Sequence, residues 1–148
     1  MKHTYIIVSA CLIGACCRYD GKCKEVISEP HGDGYTLIPV CPEQLGGLAT
    51  PRAPAEIVGE RVVNRNGEDV TQAYKRGAEE ALGIAKKYGC RYAILKERSP
   101  SCGSREIYDG SFSGTLKDGN GITAELFLRS GIKVVGESDA KELLQRLK

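Results

Sequence analysis

The stretch Thr4–Ser9, T-Y-I-I-V-S, is a near-continuous run of β-branched and aromatic residues. Such a run is typical of a strand that is buried on both faces of a parallel sheet. Three later segments have the same character, namely Thr36–Val40, Tyr92–Lys96 and Ile132–Val135. We therefore expect an α/β fold of three layers, in which a mostly parallel, Rossmann-like sheet of about four strands is the middle layer.

The segments between these strands predict helices. The clearest helix is expected over Asp69–Tyr88, where apolar residues recur at helical spacing. Asp69 and Gln72 form a capping-box-like start, and Gly89 supplies a C-terminal stop. Two shorter helices are expected over Gly121–Ser130 and Asp139–Leu147.

Two segments rich in turn residues complete the expected organisation. The motif N-R-N-G lies within residues 61–69 and is a turn signal that could join two short strands. The segment Ser104–Gly121 is rich in Gly and Ser, and we expect a long loop there that is either functional or disordered. The length of 148 residues predicts a single domain, 1–148, with one hydrophobic core.

The bulk composition excludes several classes of protein. A net charge of +2 is too small to indicate nucleic acid or an anionic membrane surface as an obligate partner. No apolar run is long enough for a transmembrane helix, and the N-terminal segment lacks the features of a signal peptide. We therefore expect a cytoplasmic protein with no membrane partner and no obligate nucleic-acid partner; the sequence does not indicate an oligomeric state.

The seven cysteines are the most informative residues. In a cytoplasmic protein they favour metal binding or thiol chemistry over disulfides. Cys11, Cys41 and Cys102 each follow a predicted strand. The carboxyl ends of parallel strands lie side by side, and α/β folds build their sites there. We expect these three thiolates to meet in one crevice and to hold a metal centre whose fourth position is open.

The other cysteines have less distinctive contexts. Cys90 begins the third predicted strand, at the opposite end of the sheet, and is expected in the core. Cys16, Cys17 and Cys23 surround the turn R-Y-D-G-K and could be further ligands, redox-active thiols or residues without a role. The last interpretation is favoured for Cys16 and Cys23, whereas Cys17 stays open. No pair has the C-x-x-C spacing of a zinc ribbon, and Tyr19 stands where a plant-type ferredoxin needs cysteine.

Polar residues accompany two of the three candidate ligands. Glu43 follows Cys41 by two residues, so it could act as a general acid or base, or stabilise the start of a short helix after Pro42. Ser99 and Ser101 precede Cys102 in R-S-P-S-C-G. A further set could line the pocket or form a solvated turn surface: Arg18, Asp20, Lys22 and Arg52.

Five blocks of the sequence resemble those of a known family. They are V-S-A-C-L-I-G, C-R-Y-D-G-K, C-P-E-Q-L-G-G-L-A-T-P-R-A-P-A-E-I, L-K-E-R-S-P-S-C-G and Y-D-G-S-F-S-G. In this order and spacing, from Ser9 to Phe127, the chain closely resembles a small bacterial domain family, formerly of unknown function. Its characterised members are iron–sulfur-dependent thiouracil desulfidases.

The resemblance implies a cofactor, a reaction and a set of site residues. The cofactor is a [4Fe–4S] cluster that is held by Cys11, Cys41 and Cys102 and has one open iron. Oxygen can destroy such a cluster in a sample that is purified in air. The reaction is non-redox hydrolysis of the C–S bond in a thiolated pyrimidine base or nucleoside, of the 2-thiouracil or 4-thiouridine type, with release of sulfide. Glu43 would shuttle protons. One serine of the S-P-S-C block would assist catalysis; Ser99 is the first candidate and Ser101 is the alternative.

Two other functions stay open at the level of sequence. A thiol enzyme without a cluster could use Cys11 or Cys102 to pass persulfide sulfur, and would need one essential cysteine. A non-catalytic binding module could hold its metal for structure alone, with four protein ligands and a closed site. The segment Asp109–Gly121 could bind substrate or cluster sulfides through its backbone, or act as a lid.

Overall fold

The computed structural model describes residues 3–147. Strands and helices alternate along the chain, and two hairpins are inserted between them. The elements are β1 (Thr4–Ser9), β2 (His31–Gly32), β3 (Tyr35–Val40), α1 (Pro42–Leu45), β4 (Ala55–Val58), β5 (Arg61–Asn64), α2 (Thr71–Lys87), β6 (Tyr92–Leu95), β7 (Glu106–Tyr108), β8 (Leu116–Asp118), α3 (Ile122–Arg129), β9 (Lys133–Gly136) and α4 (Ala140–Arg146).

The central sheet has five strands in the order β2-β3-β1-β6-β9. The four long strands are parallel, and β2 is a two-residue antiparallel strand at the edge beside β3. The expected mostly parallel sheet of about four strands is confirmed, with β2 as an addition too short to leave a sequence pattern. Chain order reverses on either side of β1, and the carboxyl ends at such a switch point are where α/β folds place ligands.

Alternate residues of each strand enter two separate cores. Ile7 packs with residues of α2 and α3, such as Ala81 and Phe127, on one face of the sheet. Ile6 packs with residues of α4, such as Leu143, on the other face. The near-continuous apolar run of β1 is therefore buried on both sides, and the three-layer expectation is confirmed.

The two inserted hairpins differ from what the sequence predicted. Strands β4 and β5 form a hairpin whose turn is at residues 59–60, so the N-R-N-G turn follows this hairpin and leads to α2. The Gly- and Ser-rich segment 104–121 is not one long loop, because β7 and β8 pair within it. Each of these two strands has only three residues, which is too short for a recognisable alternation.

The bounds of the three predicted helices, now α2, α3 and α4, lie within two residues of those expected at all six ends. Helix α2 begins at Thr71, whose backbone N–H donates to Oδ1 of Asp69 at 2.9 Å. Asp69 therefore binds the first N–H group of the helix from a position two residues before it. Helix α4 begins at Ala140, after a short 3-10 turn over Glu137–Asp139. None of the helices among residues 3–147 has both the length and the apolar character needed to span a membrane.

Candidate iron–sulfur site

Cys11 and Cys41 leave the sheet side by side. The register of β1 and β3 pairs Ser9 with Val40, so the two chains exit at the same level. Cys11 lies in the 3-10 turn that follows β1, and Cys41 caps the N-terminus of α1. The parallel pairing of two strands thus brings together cysteines that are 30 positions apart in the sequence.

Two glycines fix the segment that contains Cys41. A Cβ atom on Gly77 of α2 would lie 1.8 Å from the carbonyl oxygen of Pro42, and one on Gly46 would lie 1.9 Å from that of Ala73. Helices α1 and α2 therefore touch backbone to backbone, which only glycine permits. This contact sets the position of the C-P-E motif relative to the rest of the fold.

The loop that contains Cys102 is held by its own hydrogen bonds and by α3. Oγ of Ser99 accepts hydrogen bonds from the backbone N–H groups of Ser101 at 3.1 Å and Cys102 at 3.0 Å. At the start of α3, the N–H of Ile122 donates to the Pro100 carbonyl at 2.9 Å. Free N–H groups of a helix N-terminus thus bind loop carbonyls, which makes the Cys102 loop rigid.

The three predicted ligands line one cavity of about 660 Å³. Glu43 and Ser99 are also part of its wall. Ser101, the second serine predicted, is not: its side chain is fully buried and its hydroxyl lies 2.9 Å from that of Thr123. The structure therefore brings together five of the six residues that the sequence singled out.

Cys17 is a fourth cysteine in this cavity, and the sequence had left its role open. It is only 5% exposed, and its carbonyl oxygen accepts a hydrogen bond from the Cys41 thiol at 3.8 Å. The neighbouring thiol of Cys11, together with burial, raises the pKa of Cys17 above its usual range. Cys17 reaches the site along an irregular segment, so no strand ending could have revealed it.

The remaining cysteines lie outside the site. Cys16 and Cys23 form a disulfide that closes a ring around Cys17, although the sequence favoured no role for either. Cys90 is buried in the core beside α2 and α3, as expected.

Three thiols of the cavity, those of Cys17, Cys41 and Cys102, have raised pKa values and are neutral in the absence of a metal. Burial raises the pKa of Cys102 to about 12. A hydrogen bond with the Cys17 thiol, together with burial and the negative Glu43, raises the pKa of Cys41 above its usual range. A soft cation that binds here would displace these protons, because thiolate is the ligand form.

An almost buried ion pair borders the cysteines. Nη2 of Arg52 lies 3.1 Å from Oε2 of Glu43, and the two side chains are 10% and 14% exposed. The same nitrogen donates to the Cys17 carbonyl at 2.9 Å, while Nη1 donates to the Ala49 carbonyl at 3.2 Å. Arg52 therefore connects the carboxylate to the loop of Cys17.

The charged lining differs in part from the residues proposed by sequence. Arg18 and Arg52 line the cavity, whereas Asp20 and Lys22 do not. Three basic side chains that the sequence did not single out also contribute: Arg65, Lys96 and Arg98. They lie on the β4–β5 hairpin and after β6, and their convergence depends on how these segments pack.

The donor set fits an iron–sulfur cluster. The thiols come from separate segments around a wide cavity, and in a cluster each cysteine ligates a different iron. Thiolates are the ligands that such clusters require.

Comparisons with known proteins agree with this chemistry. A family model described as 2-thiouracil desulfurase matches residues 6–139. The uncharacterized protein YbbK of Bacillus subtilis (strain 168) is 41% identical over 155 residues, which cover 94% of this chain and 99% of YbbK. A solved structure of the [4Fe-4S]-dependent thiouracil desulfidase TudS superposes with a TM-score of 0.90 at 48% identity, covering 97% of each chain. The chain therefore belongs to the 2-thiouracil desulfurase family, and the resemblance found in the sequence is confirmed.

Proposed function

We propose that the protein is a [4Fe–4S]-dependent desulfidase that hydrolyses the C–S bond of a small thiolated pyrimidine base or nucleoside and releases sulfide. The observation that carries this proposal is the convergence of Cys11, Cys41 and Cys102 on one cavity that also contains Glu43 and Ser99. The similarity to TudS, a [4Fe-4S]-dependent thiouracil desulfidase, supports the same conclusion.

Cys11, Cys41 and Cys102 are the proposed cluster ligands. When bound, the cluster supplies a Lewis acid for the thiocarbonyl sulfur. The protein contributes a rigid frame, because the Cys41 segment contacts the backbone of α2 and the Cys102 loop is bound to α3. The raised pKa values of Cys41 and Cys102 mean that cluster binding releases protons.

Glu43 is the proposed proton carrier. Its carboxylate is in the cavity wall, and Arg52 holds one of its oxygens at 3.1 Å, so its orientation is fixed before substrate arrives. In this position it can accept a proton from the attacking water and return it to the leaving group. General acid–base catalysis of this kind contributes about 10²–10⁴-fold.

Ser99 is the proposed hydrogen-bond donor to the substrate or to the water. Its oxygen already accepts two backbone N–H groups, so its own O–H proton is available to the cavity that it lines. Ser101 has a different role in this proposal. Its hydroxyl is bound to that of Thr123, so it supports the Cys102 loop from behind.

A cytoplasmic location is part of the same proposal. Free thiols at an iron–sulfur site persist in a reducing compartment, and the Cys16–Cys23 pair would be reduced there as well.

The direct test is an anaerobic reconstitution. The protein is purified without oxygen and loaded with iron and sulfide, and bound iron and the sulfide released from 2-thiouracil are then measured. Single serine variants of Cys11, Cys41 and Cys102 are expected to lose most of the iron and all desulfidation. Cys90→Ser, a buried cysteine outside the cavity, is the matched control and should retain iron. A wild-type protein that binds no iron, or a Cys41→Ser variant with full activity, would refute the proposal.

Cys17 separates this function from the two alternatives. A closed structural site with four protein ligands would lose iron in Cys17→Ser, because this is the fourth thiol at the cavity. An enzyme with three ligands and an open iron should retain it. A thiol enzyme without a cluster would depend on one cysteine and would work without added iron.

A further inference from the structure

The tip of the β7–β8 hairpin forms part of the cavity wall. Residues 109–115 connect the two strands, and Phe112 and Gly114 line the cavity together with Tyr108 at the end of β7. The tip has its own hydrogen bonds: the N–H of Asp109 donates to the Thr115 carbonyl at 2.9 Å. This part of the segment that the sequence left open is therefore an ordered element at the site.

A carboxylate from the other hairpin anchors this tip. Glu56 of β4 is 9% exposed, and its Oε1 accepts the backbone N–H of Gly110 at 3.0 Å and that of Phe112 at 3.1 Å. Among the described residues Glu56 forms no salt bridge, and these two backbone N–H groups are its hydrogen-bond donors. A carboxylate so nearly buried is stable because it accepts such charge-assisted hydrogen bonds.

The anchored backbone is in a costly conformation. Phe112 has a φ of 57°, in the left-handed region that a bulky residue rarely adopts. Gly110 has a φ of 95°, and a Cβ atom there would lie 2.7 Å from the carbonyl oxygen of Ile57. Backbone strain of this kind persists where surrounding contacts impose it, and it is concentrated at functional sites.

The phenyl ring is also held in place by a cation. The guanidinium carbon of Arg65 lies over the Phe112 ring, 5.9 Å from its centroid. The backbone N–H of Arg65 donates to the Pro54 carbonyl at 2.8 Å, which ties the residue to the β4–β5 hairpin. Glu56 therefore fixes the backbone of Phe112 and Arg65 contacts one face of its ring, which suits the ring to meet a rigid, planar ligand.

We propose that Phe112 is the residue that packs against the heterocyclic ring of the substrate, and that Glu56 is the positioning residue that holds it there. This inference rests on the proposed function, because it takes the substrate to be a thiolated pyrimidine. The wall contains four aromatic side chains, those of Tyr19, Tyr74, Tyr108 and Phe112. Only Phe112 lacks a hydroxyl, and Glu56 and Arg65 hold its backbone and its ring in place. Contact between Phe112 and the ring adds affinity in the ground state and the transition state alike, so its loss is expected to raise KM while kcat stays nearly constant.

The test compares variants of the reconstituted enzyme with 2-thiouracil as substrate and uracil as a non-reacting ligand. Phe112→Ala is expected to raise KM for 2-thiouracil and Kd for uracil by about tenfold or more, as for the loss of one base-stacking contact, with bound iron unchanged. Phe112→Tyr keeps the ring and should restore affinity to within about threefold. Tyr88→Ala removes an exposed aromatic ring that does not line the cavity, and it is the matched control.

A double-mutant cycle tests the positioning role of Glu56. Glu56→Ala should raise KM as Phe112→Ala does, and adding it to Phe112→Ala should raise KM little further, because both changes remove the same contact. Glu56→Gln retains an oxygen acceptor and should have the smaller effect. Thermal unfolding of each variant shows whether it is folded; an additive pair, or a Glu56→Ala variant with normal KM, overturns the positioning role.

The outcomes separate this inference from the proposed function. Normal KM and uracil affinity in an active Phe112→Ala enzyme overturn the inference and leave the desulfidase proposal intact. A wild-type protein that binds the cluster but releases no sulfide overturns the proposed function and this inference with it.

Discussion

Arg52 and Glu43 form an ion pair of 3.1 Å at the edge of a cavity that contains four free cysteines. Both side chains are nearly buried, so neither charge is fully hydrated. The guanidinium also binds the carbonyl of Cys17, so one residue determines both the orientation of the carboxylate and the position of a loop.

Arg52→Ala should impair both stability and activity. Removal of the cation leaves a nearly buried carboxylate without its partner, at a cost of about 1–3 kcal/mol in the free energy of unfolding. We expect urea unfolding to show this loss and kcat to fall, because Glu43 is no longer oriented. The matched control is Arg61→Ala, whose partner Asp69 is 3.9 Å away and about half exposed; it should change stability by less than about 0.5 kcal/mol. Equal effects of the two variants would contradict this account.

Gly77→Ala should destabilise the protein strongly. Its new methyl group would lie 1.8 Å from the Pro42 carbonyl oxygen, so α1 must move away from α2. The expected loss is about 3 kcal/mol or more, at the upper end of overpacking costs, together with reduced iron binding because the C-P-E segment shifts. Gly83→Ala in the same helix meets nothing within 4 Å and should instead stabilise by about 0.5–1 kcal/mol. In thermal unfolding, the melting temperature should fall below that of wild type for Gly77→Ala and rise above it for Gly83→Ala. Shifts of the same sign would contradict this account.

Ser99→Ala and Ser101→Ala should have different effects although both serines precede Cys102. Ser99→Ala removes a hydroxyl from the cavity wall and the acceptor for two N–H groups, so kcat should fall. Ser101→Ala leaves the buried hydroxyl of Thr123 without its partner and should cost about 1–3 kcal/mol of stability, while the folded enzyme retains most of its kcat. Steady-state kinetics normalised to bound iron distinguishes the two roles. A Ser101→Ala enzyme that is stable but inactive would reverse the assignment.

Glu97→Gln should reduce stability at neutral pH and have little effect in acid. Although burial opposes it, hydrogen bonds from the hydroxyl and backbone N–H of Ser138 hold the pKa of Glu97 below its usual range. A carboxylate with a lowered pKa in the folded protein contributes stability above its unfolded pKa, and this contribution is lost as the pH falls through the folded value. The difference in melting temperature between wild type and Glu97→Gln should therefore be largest near pH 7 and shrink below about pH 4. A difference that does not depend on pH would show that ionisation of Glu97 is not the cause.

The sequence predicted the parallel sheet and the three cysteines for the same physical reason. A strand buried on both faces has a recognisable apolar run, and parallel strands place their carboxyl ends at one edge. These two features were sufficient to predict that Cys11 and Cys41 lie close together. The position of Cys102 also follows from the sheet, although the hydrogen bonds of Ser99 and α3 that fix it could not be seen in advance.

The residues that the sequence missed or left open reach the site through irregular chain or short hairpins. Cys17 lies in a segment without periodicity, and its burial depends on the contacts of Arg52. Glu56, Arg65 and Phe112 come from or border strands of three or four residues, whose packing is decided by tertiary contacts. Local propensity carries little information about such positions.

The binding of the Cys102 loop to the start of α3 has a consequence for biosynthesis. The N–H groups of Ile122 and Thr123 hold this loop, so the third thiol is not fixed until the ribosome has released the chain beyond these residues. Cys11 and Cys41 emerge much earlier and must wait for β6 and α3 to fold, because domains fold largely as units. The three-cysteine site is therefore complete only after α3 has left the ribosome and folded against the sheet.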